Sequence, residues 1–311
     1  MPRLIATYEP GSAEWLEQRS TRLGGSEVAA VLGLSPWESR LSLWLRKAGA
    51  VGPQPDTADT EWGRRLESAV LQRWRDDHPD WRVRRRGQTF LHDEHDWMLA
   101  SPDAIVHRRR RGELDEVVEV KQARYDDEWG TPGTDKIPVY YLTQVRWYLA
   151  VLGLRRARVI VLIGGTDYRE YIVEQDPGDL ELMMREGRAF LDSIAAGQRP
   201  DIDGHAQTLQ VLREEHPDID RDTETELDAA TALAYLEAEA ALEAAKTESN
   251  RRKGQVLHAM GRTHRAVFAG RRIAYRTARK RADGSPGTPY LQLQRSETKK
   301  PAITQPKENA A

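Results

Sequence analysis

The chain contains no cysteine, which excludes disulfides and cysteine-ligated iron–sulfur clusters. It has no apolar stretch long enough to span a membrane, and its N-terminus lacks the apolar run of a signal peptide. The expectation is a cytoplasmic protein with no membrane partner. Net charge is scarce too, at −2 over 311 residues. That near-balance conceals a separation of charge. Residues 201–250 hold 14 acidic and 3 basic side chains, whereas residues 261–300 hold 11 basic and 2 acidic ones. Blocks of this kind point to a tail that binds nucleic acid or a partner. Hydrophobic content of 39% and charged content of 31% fit a globular protein, with room for one large domain or two smaller ones.

What is present is organised around residues 101–121. Ser101-Pro102-Asp103-Ala104-Ile105-Val106 and Val117-Val118-Glu119-Val120-Lys121 have strand character, and an arginine-rich turn containing Gly112 lies between them. A β-hairpin is expected. Side chains alternate along a strand, so Glu119 and Lys121 share one face while Val118 and Val120 take the other. Asp103, at the mouth of the partner strand, can reach the same spot. Two carboxylates around one point suit a hard cation such as Mg²⁺ or Mn²⁺, and a lysine beside them can hold or deprotonate a water. In so charged a chain the same hairpin also reads as a solvated strand pair.

Around this hairpin the periodicity predicts helices at 12–22, capped by Ser12, and at 39–49. After Gly24-Gly25, Ser26 can cap a short apolar helix over 28–32. Such a helix start suits a phosphate, and it is also the pattern of an ordinary core helix. A strong helix is expected over 60–77, with Trp62, Leu66, Val70, Leu71 and Trp74 on its apolar stripe. Glu67 lies within that stripe. It reads equally as a site carboxylate or as a stripe-edge residue in solvent or paired with an arginine. Residues 81–91 read as one strand, 126–138 as an exposed mobile loop, and 139–152 as a helix with Gln144 beside its apolar face. Strands at 158–163 and 168–173 form a hairpin about Gly164-Gly165. A helix over 177–196 closes this part. Overall, a central mixed β-sheet flanked by helices is expected over residues 1–200. An acidic linker (201–223), a long helix open to a break near Asn250, a basic hairpin about Gly270 (together 224–298) and a disordered tail (299–311) follow.

Pro102-Asp103 followed by Glu119-Val120-Lys121 resembles the signature of the PD-(D/E)xK nuclease superfamily. The order of further motifs resembles a narrower group, the YqaJ-like viral recombinase family related to phage lambda exonuclease. Trp15 to Arg19 precedes Ser26-Glu27, then come Gly63 to Glu67, Pro102-Asp103, Glu119-Val120-Lys121, and Tyr141 to Gln144. Leu23-Gly24-Gly25 departs from the Ile-Thr-Ala that members often carry, so a threonine contact to phosphate is missing or taken over by backbone N–H groups. The likeness ends at about Arg199.

The resemblance implies a restriction-endonuclease-like core and a Mg²⁺-dependent exonuclease, with Mn²⁺ able to substitute. Such an enzyme degrades one strand of double-stranded DNA from its 5′ end and feeds a single-strand annealing partner. It implies metal ligation by Asp103, Glu119 and the Val120 carbonyl, with Lys121 on the attacking water. Glu67 would hold a metal-bound water or second metal, Gln144 would position a phosphate or the attacking end, and Arg19 and Ser26 would bind the terminal 5′-phosphate. It also implies a ring-shaped homo-oligomer, a trimer. The competing readings are an endonuclease or repair nuclease of the same superfamily, and a non-catalytic DNA-binding or annealing module resting on the basic block after Gly261.

Overall fold

The computed structural model describes residues 1–108, 115–281 and 283–294. The chain divides into two compact units, Met1–Ile219 and Asp220–Ala311. Unit 1 runs β1 (Arg3–Ile5), α1 (Ala13–Ser20), β2 (Leu23–Gly24), α2 (Gly25–Val31), α3 (Arg40–Lys47), α4 (Ala58–Asp77), β3 (Trp81–Arg86), β4 (Thr89–Leu91), β5 (Met98–Ala100), β6 (Ala104–Arg108), β7 (Glu116–Ala123), α5 (Val139–Leu152), β8 (Arg156–Ile163), β9 (Asp167–Glu174), α6 (Pro177–Ala195) and α7 (Ala206–Glu215). Unit 2 holds α8 (Ala229–Met260), β10 (Arg265–Phe268), β11 (Arg271–Thr277) and β12 (Tyr290–Leu293).

The central sheet of unit 1 is mixed, as expected, in the order β3-β6-β7-β8-β9. Only β7 and β8 pair in parallel. A parallel pair needs a crossover, which α5 supplies. One face of the sheet, with Val117, Val159 and Val161, joins the main core beneath α2, α3, α5 and α6. The other face, with Val118, Val120 and Ile160, packs on Val70, Leu71 and Trp74 of α4. The expected split of β7 into a Val118/Val120 face and a Glu119/Lys121 face is thus present.

The stretch 81–91 is not one strand. It breaks at Gly87, whose φ of +54° is one that L side chains avoid. β3 stays in the central sheet, while β4 joins a second sheet of order β1-β4-β5-β2. The chain makes the reverse change of sheet between β5 and β6. At that junction the Gly87 N–H donates to the Asp103 carbonyl at 3.2 Å. Asp103 therefore stands where two strands leave one sheet for another.

Other expectations are corrected by packing. Trp62 is 59% exposed, so the buried stripe of α4 begins further along, at Val70. The loop over 126–138 is anchored: Trp129 and Ile137 belong to the core, and Tyr171 donates to the Gly130 carbonyl at 2.8 Å. Within the stretch expected to be a linker, α7 packs on unit 1, burying Val211 and bonding Thr208 to Ser39 at 2.7 Å. In unit 2, α8 passes Asn250 without a break. Glu248 pairs with both Arg251 and Arg252 there, and such pairs offset the few tenths of a kcal/mol that asparagine costs a helix. The hairpin about Gly270 is present, and β12 adds a third strand that the sequence pattern did not reveal. The tail expected over 299–311 lies outside the described residues.

Candidate active site

The first cluster is built at the ends of β6 and β7. Val120 lends its backbone N–H to Asp103 Oδ2 at 2.7 Å, and the Asp103 N–H lies 3.4 Å from Glu119 Oε2. Strand pairing therefore holds the two carboxylates beside each other. Glu119 is only 2% exposed. Its Oε1 accepts from the Lys121 ammonium at 2.8 Å and from the Gln144 amide at 2.8 Å. Lys121 also donates to Gln144 Oε1 at 3.0 Å and lies 4.8 Å from the centre of the Tyr141 ring. Gln144, which periodicity places beside the apolar face of its helix, is buried and completes its bonding by donating to Tyr148 Oη at 2.9 Å.

The electrostatics follow from this crowding. Burial, with the Glu119 and Glu67 charges added, pushes the Asp103 carboxyl well above its ordinary range, against the pull of Lys121. Burial opposes charge on Lys121, yet Glu119 and Asp103 outweigh it and hold the ammonium above its usual value. Burial also drives the Tyr148 hydroxyl up, with Glu119 adding to it. Glu67 is less committed. Its side chain is 30% exposed and lies 3.6 Å from Arg86, and burial raises its carboxyl. It reaches the cluster through its field, not through a bond.

Among the described residues, no three His, Asp or Glu side chains stand together as a ready metal ligand set. The donor set that fits a hard cation is thus the two carboxylates of Asp103 and Glu119, with backbone or water oxygen to complete it. Those two carboxylates meet one ammonium, a local excess of negative charge that a divalent cation would balance.

A second cluster forms between α1, α2 and α3. Arg19 is buried, its guanidinium 4.6 Å from the centre of the Trp15 ring, 3.4 Å from Ser26 Oγ and 3.4 Å from Glu27. Its Nε is buried without a hydrogen-bond partner. Ser26 is not the helix cap. Gly24 takes that position, and its N–H is held by Glu27 Oε2 at 2.7 Å. Lys47, which nothing in the local pattern singled out, pairs with Glu27 at 2.9 Å and donates to the carbonyls of Arg19 and Arg22. Burial works against the Glu27 charge, but Lys47 and Arg19 together overcome it and lower its carboxyl. At Lys47, burial, aided by the nearby Arg19 guanidinium, outweighs the Glu27 and Glu38 charges, and the ammonium is lowered.

Both glycines of Leu23-Gly24-Gly25 have a reason here. A Cβ on Gly24 would lie 1.9 Å from the Arg19 guanidinium, so Arg19 occupies the space that a side chain would need. A Cβ on Gly25 would lie 2.6 Å from the Tyr148 ring and 2.9 Å from the Gln144 carbonyl. The close approach of α2 to α5 thereby brings the Arg19 cluster next to the Gln144–Tyr148 end of the Glu119 cluster.

The chain is similar to several known proteins. The uncharacterized protein YqaJ of Bacillus subtilis (strain 168) is 27% identical over 266 residues, covering 83% of this chain and 81% of that protein. An alignment of that length cannot fit within the first 199 residues, so the likeness runs past Arg199. Among solved structures, the alkaline exonuclease LHK-Exo of Laribacter hongkongensis is 19% identical, covering 65% of this chain and 97% of that one, with a TM-score of 0.46. A phage-related exonuclease of Haemophilus somnus 129PT is 9% identical, covering 57% and 96%, with a TM-score of 0.41. The family model for the YqaJ-like viral recombinase domain matches residues 14–155, a span containing every motif from Trp15 to Gln144.

Proposed function

We propose that unit 1 is a divalent-metal-dependent nuclease that degrades double-stranded DNA from a 5′ end and leaves a 3′ single strand for recombination. The observation that carries this reading is the convergence of Asp103, Glu119, Lys121 and Gln144, drawn from three elements, into one hydrogen-bonded group. Asp103 and Glu119 are the groups to hold Mg²⁺ or Mn²⁺, joined by the Val120 carbonyl. The bound ion would supply Lewis-acid polarisation of the phosphate and a more acidic water. Lys121 orients the attacking water and offsets charge on the phosphate. Gln144 holds Glu119 and Lys121 in register, and Glu67 orients a further water from the α4 side.

Arg19 and Ser26 are the groups to hold the terminal 5′-phosphate. The unpaired, buried Nε of Arg19 supports this, since the fork of a guanidinium matches phosphate oxygens. Lys47 adds a second cation beside it. A homotrimeric ring and a single-strand annealing partner belong to the same reading and rest on family likeness.

The direct test is digestion of linear duplex DNA labelled separately at each 5′ end, with Mg²⁺, Mn²⁺ or EDTA. Release of label from 5′-phosphorylated ends, lost in EDTA and slowed on 5′-hydroxyl ends, is expected. Arg19→Ala should remove the preference between ends and keep the metal requirement. Digestion in EDTA would overturn the metal reading, and cuts within a circular duplex would favour an endonuclease.

A further inference from the structure

The sheet of unit 2 has two unlike faces. Residues paired across an antiparallel ladder share a face. Arg265 pairs with Tyr275, Tyr275 with Gln292, Thr277 with Tyr290, and Val267 with Arg272. Arg265 and Val267 alternate along β10 on one side, so these residues and their partners share it. Between Ala266 and Val267 the partner steps from Ala274 to Arg272, which makes Ile273 the extra residue of a bulge in β11. Without it, Arg272 and Tyr275 would point to opposite sides. The other face is occupied within the unit: Ala274 is buried, and Arg276 donates to the Gly261 carbonyl just past α8.

The first face is open and carries two rings. Tyr290 is 41% exposed, Arg265 and Arg272 are exposed, and Tyr275 lies edge-on to His264 at 6.3 Å. It is also unbalanced in charge. Residues 261–294 contain eight arginines and lysines and one acidic residue, Asp283. Asp283 is engaged by the Ser285 N–H and hydroxyl. Among the described residues, none of these eight cations forms an ion pair, whereas unit 1 pairs its arginines repeatedly, as in Arg158–Glu116 and Arg156–Glu174. The loop after β11 adds Arg279, Lys280 and Arg281, folded back by a bond from Gly287 N–H to the Arg279 carbonyl at 2.8 Å.

We propose that this face of unit 2 binds single-stranded DNA, with Arg265 and Arg272 on phosphates and the rings of Tyr275 and Tyr290 on bases. Unpaired cations beside exposed rings match a polyanion that also offers flat apolar faces. A duplex hides those base faces in its stack, so the rings select the single strand. The choice of DNA rests on the nuclease reading of unit 1. The charge and stacking arguments stand without it.

The test is fluorescence anisotropy of labelled oligo-dT with the full chain, in EDTA so that cleavage plays no part, across a range of KCl. Arg265→Ala with Arg272→Ala should weaken binding and flatten the plot of log affinity against log salt by about 1.4, about 0.7 for each phosphate contact. The corresponding lysine pair should keep the slope. Tyr275→Ala with Tyr290→Ala should lower affinity by about tenfold or more with the slope unchanged. An unchanged slope in the arginine-to-alanine pair would overturn the proposal. So would ring variants without effect together with displacement by polyglutamate as effective as by oligo-dT, which would mark a surface for an acidic protein. A chain that binds oligo-dT in the expected way and cleaves no duplex in Mg²⁺ would retire the nuclease reading and leave this face standing.

Discussion

Gln144 donates its side-chain amide to Glu119 Oε1 at 2.8 Å, the same oxygen that the Lys121 ammonium holds. Its own carbonyl then accepts from Lys121. One glutamine thus closes a three-membered ring of contacts and fixes the carboxylate and ammonium relative to each other.

Gln144→Ala should therefore act on rate more than on fold. Displacing Glu119 and Lys121 by about 1 Å is expected to slow cleavage about 100-fold. Stability should fall by about 1–3 kcal/mol, because Glu119 and Tyr148 each lose a buried partner. Initial rates on linear duplex, beside urea unfolding, measure both. Turnover close to that of the unmutated chain would make Gln144 a packing residue.

Acid should weaken unit 1 through Glu27. Its carboxyl titrates below the ordinary value of 4.5 in the folded chain, so the folded state binds fewer protons there than the unfolded one. The stabilisation it contributes is complete above that ordinary value and is lost as pH falls through the lowered folded value. Glu27→Gln leaves Arg19 and Lys47 buried without a carboxylate and should cost about 3 kcal/mol at pH 7. The gap between variant and parent should narrow as the pH is taken below 4.5. A gap independent of pH would mean that the glutamate acts by shape alone.

The two glycines should separate. Gly24→Ala pushes against the flexible end of Arg19, so the chain should fold while the guanidinium is displaced. Preference for 5′-phosphorylated ends should disappear with the metal requirement intact. Gly25→Ala meets the Gln144 backbone carbonyl and the Tyr148 ring, which have no such freedom. It should lower the melting temperature clearly. Equal end preference in Gly24→Ala and its parent would detach Arg19 from phosphate recognition.

Truncation distinguishes the units. A chain ending at Ile219 keeps α7 and its Thr208–Ser39 bond, and should retain metal-dependent cleavage at low salt. A chain ending at Arg199 loses the fully buried Val211. Removing a buried aliphatic side chain exposes its cavity at a cost of about 2–4 kcal/mol, so this shorter chain should unfold at lower urea. Inactivity of a folded 1–219 chain would place unit 2 in the catalytic machinery.

The local pattern was enough for some features. Alternation along β7 alone assigns Glu119 and Lys121 to one face, because a strand has a period of two whatever surrounds it. Helical spacing places Val70, Leu71 and Trp74 on one stripe, and Ser12 and Ser39 both cap the helices expected to follow them. The order of motifs from Trp15 to Gln144 carries the family likeness, since it needs only the chain.

Other features depended on what the chain meets in three dimensions. The break of 81–91 into two sheets places Asp103, and a single run of strand-forming residues does not reveal which sheet each half joins. Lys47 and Glu27 enter the Arg19 cluster from helices that are separate in sequence, and Trp62 leaves its stripe because no neighbour covers it. The 201–223 stretch looks like a linker by composition, yet Val211 finds a buried place against unit 1. In unit 2, one bulge decides whether Arg272 and Tyr275 share a face, since a single inserted residue reverses the side to which a strand's side chains point. Periodicity within an element is written along the chain, whereas the contact between elements is settled only when their surfaces meet.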